Sequence, residues 1–211
     1  STVDAVEAML EGQMEAVASI QSQTAQIAST ADAAALRLRS SGGRLVYVGA
    51  GTSGRVAVQD GVELGPTFGW PESRLTYLMA GGIHALVHSA EGAEDDADAA
   101  RAQIAANGID KDDVVIGVAA SGRTPFTIAA IETAREAGAL TIAIANNEGS
   151  ALAAAAEHAL VAATGSEVLA GSTRMKAGTA QKAILNLLST AIMLRLGRVY
   201  RGLMVDMVIS N

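Results

Sequence analysis

The sequence predicts a doubly wound α/β domain: a five-stranded parallel sheet of flavodoxin-like order 2-1-3-4-5, flanked by helices and preceded by a helical N-terminal segment. Short apolar runs alternate with helical or glycine-rich segments, the alternation that builds parallel sheets. The run Val114-Val115-Ile116-Gly117-Val118 is almost continuously apolar, as a strand covered by helices on both faces must be. Two of the runs end in glycine- and hydroxyl-rich loops that open helices, the place where open parallel sheets bind their ligands.

The elements follow in order. From Val3, the apolar residues Val6, Met9, Leu10, Met14, Val17 and Ile20 recur at helical spacing, with Glu7, Glu11, Gln13 and Glu15 filling the polar face, which predicts an amphipathic helix. A second helical stretch, with Leu36 and Leu38, ends at Ser40-Ser41-Gly42-Gly43. Strand one is Leu45–Val48, and strands two to five are Leu75–Met79, Val114–Val118, Leu140–Ala145 and His158–Val161. Ala183–Leu188, continued by Ile192–Leu194, reads as a helix apolar on most of its circumference, to be buried in the core or in a dimer interface. With no internal repeat or linker, residues 1–211 are expected to form one domain, 1–41 as the helical N-terminal segment and 42–211 as the α/β core with its final helix.

Half of the 211 residues are hydrophobic and only 3% aromatic, so the core must be built from small and aliphatic side chains at close backbone distances. The formal charge of -7 argues against a nucleic-acid partner, which needs clustered Lys and Arg. No stretch approaches the ~20 apolar residues of a membrane span and the N-terminus lacks a basic leader, so a soluble, cytoplasmic protein is expected. The absence of cysteine excludes disulfides, thiolate zinc sites and a cysteine nucleophile.

The first loop, Gly49-Ala50-Gly51-Thr52-Ser53-Gly54, has the spacing of a dinucleotide fingerprint between a strand and a helix. That fingerprint also wants an acidic residue at the end of strand two to hold a ribose. Here the strand runs through Met79 into Ala80-Gly81-Gly82, so a phosphosugar ranks above a nicotinamide cofactor. After strand three comes Ala119-Ala120-Ser121-Gly122-Arg123-Thr124-Pro125, which by itself is ordinary helix initiation with Thr124 as cap and Pro125 at the first helical position. The two loops lie on the strands that flank the switch point. Together, their free N–H groups and the hydroxyls of Thr52, Ser53, Ser121 and Thr124 make a cradle for a phosphate dianion. A third patch, Gly171 to Lys182, reads equally as a capped helix with a solvated basic face or as a basic, hydroxyl-rich wall for an anion.

Among the carboxylates, Glu63 is placed near the end of the helix after the first loop, either solvated or turned into the crevice. Glu91, Glu94, Asp95, Asp96 and Asp98 form an acidic run from which pattern alone selects no member, because acids in a first helical turn commonly complement the helix dipole. His84 and His88 are four apart but lack a third ligand, which favours half-buried histidines over a metal site.

In series, Gly49–Arg55 (GAGTSGR), Pro66–Gly69 (PTFG), Glu91–Asp95 (EGAED), Ala119–Pro125 (AASGRTP) and Glu167–Lys182 (EVLAGSTRMKAGTAQK) resemble the signatures of N-acetylmuramic acid 6-phosphate etherases, in order from about Gly42 to Asp206. The resemblance implies the sugar-isomerase (SIS) fold and conversion of the substrate to N-acetylglucosamine 6-phosphate and D-lactate. The implied route is removal of the C2 proton of the ring-opened sugar, loss of the C3 lactyl ether and addition of water. No metal and no organic cofactor is implied, because the substrate aldehyde is the electron sink. By motif position Glu63 matches the acid proposed to protonate departing lactate, and Glu94 the second active-site glutamate, a candidate base at C2. The candidate substrate-binding set is Thr52, Ser53, Ser121, Arg123, Thr124, Ser172, Thr173 and Lys176. A homodimer is implied as well. Family members carry further N- and C-terminal segments, so a truncated or naturally short member is expected, and Gly65 stands where the family commonly has a proline. The rival readings are an aldose–ketose isomerase on the same fold and a non-catalytic phosphosugar sensor.

Overall fold

The computed structural model describes residues 1–40 and 42–205. Ser41, the expected end of the N-terminal helical segment, and the stretch from Asp206 to Asn211 lie outside the described residues. Helices α1 (Thr2–Ala18) and α2 (Thr24–Ser40) precede strand β1 (Leu45–Gly49). There follow α3 (Gly51–Val62), α4 (Leu64–Phe68), β2 (Leu75–Met79), α5 (Ala97–Ala106), β3 (Val114–Ala119), α6 (Pro125–Glu136) and β4 (Leu140–Ala145). The chain then forms α7 (Ala151–Ala155), β5 (His158–Val161), α8 (Lys176–Arg195) and a small antiparallel hairpin of β6 (Val199–Tyr200) and β7 (Leu203–Met204).

The five main strands are all parallel in the order β2-β1-β3-β4-β5, as the sequence predicts. Each central strand alternates its side chains between two cores. Tyr47, Ile116, Ile142 and Ile144 face α2, α3 and α8, whereas Val46, Val48, Val115 and Ala143 face α5 and α6. β1, β3 and β4 are buried along their whole length. This explains the near-continuous apolarity of their sequences.

A buried polar knot ties the first face together. Tyr47 donates its hydroxyl to Asp60 Oδ2 at 3.0 Å, while Asn186 Nδ2 and the Ser189 hydroxyl of α8 donate to Oδ1 at 2.7 and 3.1 Å. Burial pushes the Asp60 carboxyl up, against the pull of these donors, and raises Tyr47 well above its ordinary value.

The amphipathic helix expected from Val3 forms as α1, and its apolar residues divide: Leu10 and Met14 are each 59% exposed and Val3, Val6 and Val17 are also exposed, whereas Ile20, just past its end, is buried in the core. The helix instead seats Gly12 and Ala16 against α8. Its approach there is close, since a Cβ at Gly12 would stand 3.3 Å from Lys176 Cδ, and only small residues fit that contact. α8 buries Ile184, Leu185, Leu188, Ile192 and Met193 but leaves Leu187 and Leu194 half exposed.

At the other end of the sheet, Asp113 accepts from Arg44 Nε and Nη2 at 3.1 and 2.7 Å and from the Arg44 and Asp110 amides at 2.8 and 3.2 Å. Burial alone would raise this carboxyl, but the four donors outweigh it and hold it below its ordinary value. A depressed carboxylate stabilises the fold above its unfolded value of about 3.9 and loses that contribution as pH falls through the folded value. Asp113→Asn is therefore expected to lower stability by roughly 2–4 kcal/mol at neutral pH, because Arg44 loses its carboxylate partner and keeps the Asn107 and Gly108 carbonyls. The deficit should shrink below about pH 4 when parent and variant are compared by urea titration across pH.

Candidate active site

The site begins where β1 meets α3. A Cβ at Gly54 would lie 2.8 Å from Gly49 C and 2.4 Å from Met79 Sδ, and one at Gly49 would lie 2.7 Å from Gly54 Cα. The helix start therefore presses directly on the strand end, after a left-handed Gly51 with φ 51°. α3 carries no side-chain cap, so its first-turn N–H groups are left for a ligand. α6 starts likewise: Thr124 is at the cap position without capping, followed by Pro125.

Beside the start of α3 lies a cleft of about 430 Å³. Gly51, Thr52 and Arg55 form one wall, Ser89, Glu91, Gly92 and Glu94 a second, and Ala80, Ala85 and Thr173 complete it. Of the sequence candidates, the cleft thus gathers Thr52, Thr173 and Glu94. Ser53 is buried in the first turn of α3. Ser121, Arg123 and Thr124 follow the neighbouring strand β3, outside the lining of this cleft, and the Ser121 hydroxyl accepts from the Arg123 amide at 3.2 Å. Ser172 is half-buried beside Thr173 but also outside the lining.

The acidic run divides by role. Glu91 and Glu94 line the cleft, Asp96 caps α5 by accepting from the Ala99 amide at 2.8 Å, and Asp98 pairs with Arg101. Sequence reasoning did not separate Glu91 from this run and passed over Arg55 and Ser89. Arg55 had a legible signal, since it directly follows Gly54 on the first turn of α3.

Two candidates stand elsewhere in the single chain. Lys176 is buried, with its ammonium 2.9 Å from Glu15 Oε2 of α1. The Glu167 carboxylate accepts from the Lys176 and Ala177 amides at 3.0 and 3.1 Å, so α8 already holds an anion at its own start. Glu63 follows the last residue of α3 and is exposed. It does not line the cleft of its own chain, and nearly the whole of α3, about 16 Å at 1.5 Å per residue, separates it from Thr52. His84 and His88 are exposed rather than half-buried, at and after a 3-10 turn. Among the described residues, no group of three or more His, Cys, Asp or Glu is placed to hold a metal, and no helix is long and apolar enough to cross a membrane.

The uncapped helix start lies at the switch point of a 2-1-3-4-5 parallel sheet, where doubly wound folds bind their ligands, and its family match makes this a sugar-isomerase (SIS) domain. Residues 26–135 match the family model described as the glucokinase regulatory protein N-terminal SIS domain. The sugar isomerase domain of the RpiR transcription factor from Sphaerobacter thermophilus superimposes with a TM-score of 0.64 at 26% identity, covering 93% of this chain and 91% of that one. An N-acetylmuramic acid 6-phosphate etherase of Symbiobacterium thermophilum is 50% identical over 100% of this chain and 70% of its own length. One from Streptomyces coelicolor is 52% identical over 92% of this chain and 62% of its own length. The chain belongs to the N-acetylmuramic acid 6-phosphate etherase family, and it spans about two thirds of the length of these relatives.

The packing at the helix start ranks two substitutions. Gly54→Ala forces a methyl group onto immovable strand backbone and is expected to destabilise by about 2–3 kcal/mol. Gly51→Ala meets no atom within 4 Å and carries only the left-handed penalty of roughly 1–2 kcal/mol. Guanidinium denaturation of both variants reads the order.

Proposed function

We propose that the chain cleaves the D-lactyl ether of N-acetylmuramic acid 6-phosphate, giving N-acetylglucosamine 6-phosphate and D-lactate. The observation that carries this reading is the cleft in which Glu94 shares one space with the uncapped start of α3, in a chain that has half its residues in common with etherases. The first-turn amides, with Thr52 and Ser53, take the phosphate, and Ser121, Arg123 and Thr124 of the neighbouring helix start close the switch-point side. Ser172 and Thr173 reach the sugar from the loop before α8. Glu94 removes the C2 proton of the ring-opened sugar, whose aldehyde accepts the electron pair. The C3–O bond then breaks as a second carboxylic acid protonates the lactate oxygen, and water adds to the unsaturated aldehyde.

Glu63 is that acid, supplied by a second copy of the chain. Within one chain it stands a helix length from Thr52, so a site that uses both glutamates needs two chains. The exposed ridge of Val3, Val6, Leu10, Met14 and Val17 runs into a groove bordered by Ala183 and Leu187 of α8. A two-fold contact through this face puts the same patch of each copy against the other, and in this reading Glu63 of one copy serves the cleft of its partner. Lys176 acts there through Glu15, by fixing α1 on α8.

Glu63→Gln and Glu94→Gln are each expected to cut D-lactate release at least about 100-fold. If the site is shared, dissociating and mixing the two variants restores about a quarter of the parent rate, since half of random dimers carry one intact site of two. Failure to recover places both carboxylates in one copy. A folded parent that binds the sugar phosphate but releases no lactate is a sensor, the reading that the match to a regulatory protein's domain would then support.

A further inference from the structure

The wall of the cleft that carries Glu91 and Glu94 is an irregular segment between β2 and α5, built from 3-10 turns at Ile83–Leu86 and Ala93–Asp95. Short turns leave most of their carbonyl groups without intrahelical partners. Here one side chain gathers them. Arg55 Nε donates to the carbonyls of Ala85 and Leu86, each at 3.1 Å, and Nη2 donates to Ala85 and His88 at 2.9 and 3.1 Å. Arg55 leaves α3 directly after Gly54, whose contact with Gly49 seats the helix start on β1, so the segment is tied to the backbone contact at the base of the site.

The tie reaches the glutamates through packing. The segment folds around Gly81, where a Cβ would lie 2.5 Å from Ala90, 3.3 Å from Ala85 and 3.4 Å from Ala93. Fixing the Ala85 backbone therefore fixes the alanines that flank Glu91 and Glu94. Arg55 is also the cation among the residues that line the cleft, and among the described residues it forms no ion pair. Its charge rests on backbone carbonyls alone.

We infer that Arg55 is a positioning residue: its guanidinium anchors the backbone of residues 85–88 and thereby holds the Glu91–Glu94 segment in place as a wall of the cleft. The catalytic consequence rests on the etherase reading, whereas the anchoring does not. A planar fork satisfies three carbonyls at once; a lysine ammonium reaches fewer of them from a flexible stem.

The test is amide hydrogen exchange on the full chain, with Arg55→Met and Arg55→Lys beside the parent, followed by lactate kinetics. Arg55→Met is expected to speed exchange across residues 85–95 by roughly tenfold or more while β3 and α8 keep the parent rates, and Arg55→Lys to recover part of that protection. In turnover, kcat should fall by about 10–100-fold with KM within about threefold, because a displaced Glu94 slows chemistry while the phosphate seat is intact. Unchanged exchange in residues 85–95, or an equal rise across the whole sheet, overturns the anchor. A loss confined to KM overturns the positioning role and makes Arg55 a ligand of the substrate. A parent that releases no lactate overturns the etherase reading instead, and the exchange comparison still decides the anchor.

Discussion

The contact between Gly49 and Gly54 sets the geometry from which the rest of the site is measured. With no side chain on either residue, the first turn of α3 sits against the end of β1 at backbone distance. The amides of that turn therefore lie at the edge of the sheet rather than a side-chain thickness away. The closeness has further effects. It brings Arg55 within reach of the segment after β2, and it directs Asp60, near the far end of α3, into the knot with Tyr47 and α8. A methyl group at the contact would disturb the anion seat, the acidic wall and the α3–α8 packing together.

Energetically, the two faces of the sheet are unlike. The face toward α5 and α6 is mainly apolar, built from Val, Ala, Leu, Ile and one Phe, with the buried Thr127 of α6 among them. The other holds the buried carboxyl of Asp60, the Tyr47 phenol and the Ser189 hydroxyl, joined by the amide of the exposed Asn186, all in hydrogen bonds. Such a network fixes the rotation and height of α8 relative to α3 more sharply than apolar packing does, since a shift of either helix leaves a buried acid without donors. That face also carries the exposed apolar ridge of α1.

Much of this architecture was legible before any coordinates. The apolar runs located the five strands of the main sheet, most cleanly β1, β3 and β4, because strands buried on both faces have few polar positions to obscure the pattern. The short β6–β7 hairpin left no such signal. The loops after β1 and β3 were legible through their glycines and hydroxyls. The orientation of α1 was not: periodicity identifies an apolar stripe but not what covers it, and Gly12 and Ala16 gave no sign that the helix would turn its small side inward. Glu63 illustrates a second limit, since its position in the sequence is fixed while its neighbours depend on whether one chain or two are counted. The acidic run was ambiguous because capping and lining use the same residue types, and only the fold distinguishes Asp96 from Glu94.

The pairing of Glu167 with the start of α8 has one more consequence. Its carboxylate receives the Lys176 and Ala177 amides, so the residues in between form an Ω-shaped loop whose two ends are pinned together. Ser172 and Thr173 ride on that loop. Closing the ring in the free protein means the cost of bringing the loop's ends together is met before any ligand arrives. The tip can adapt its shape to a ligand while its two ends stay fixed on α8.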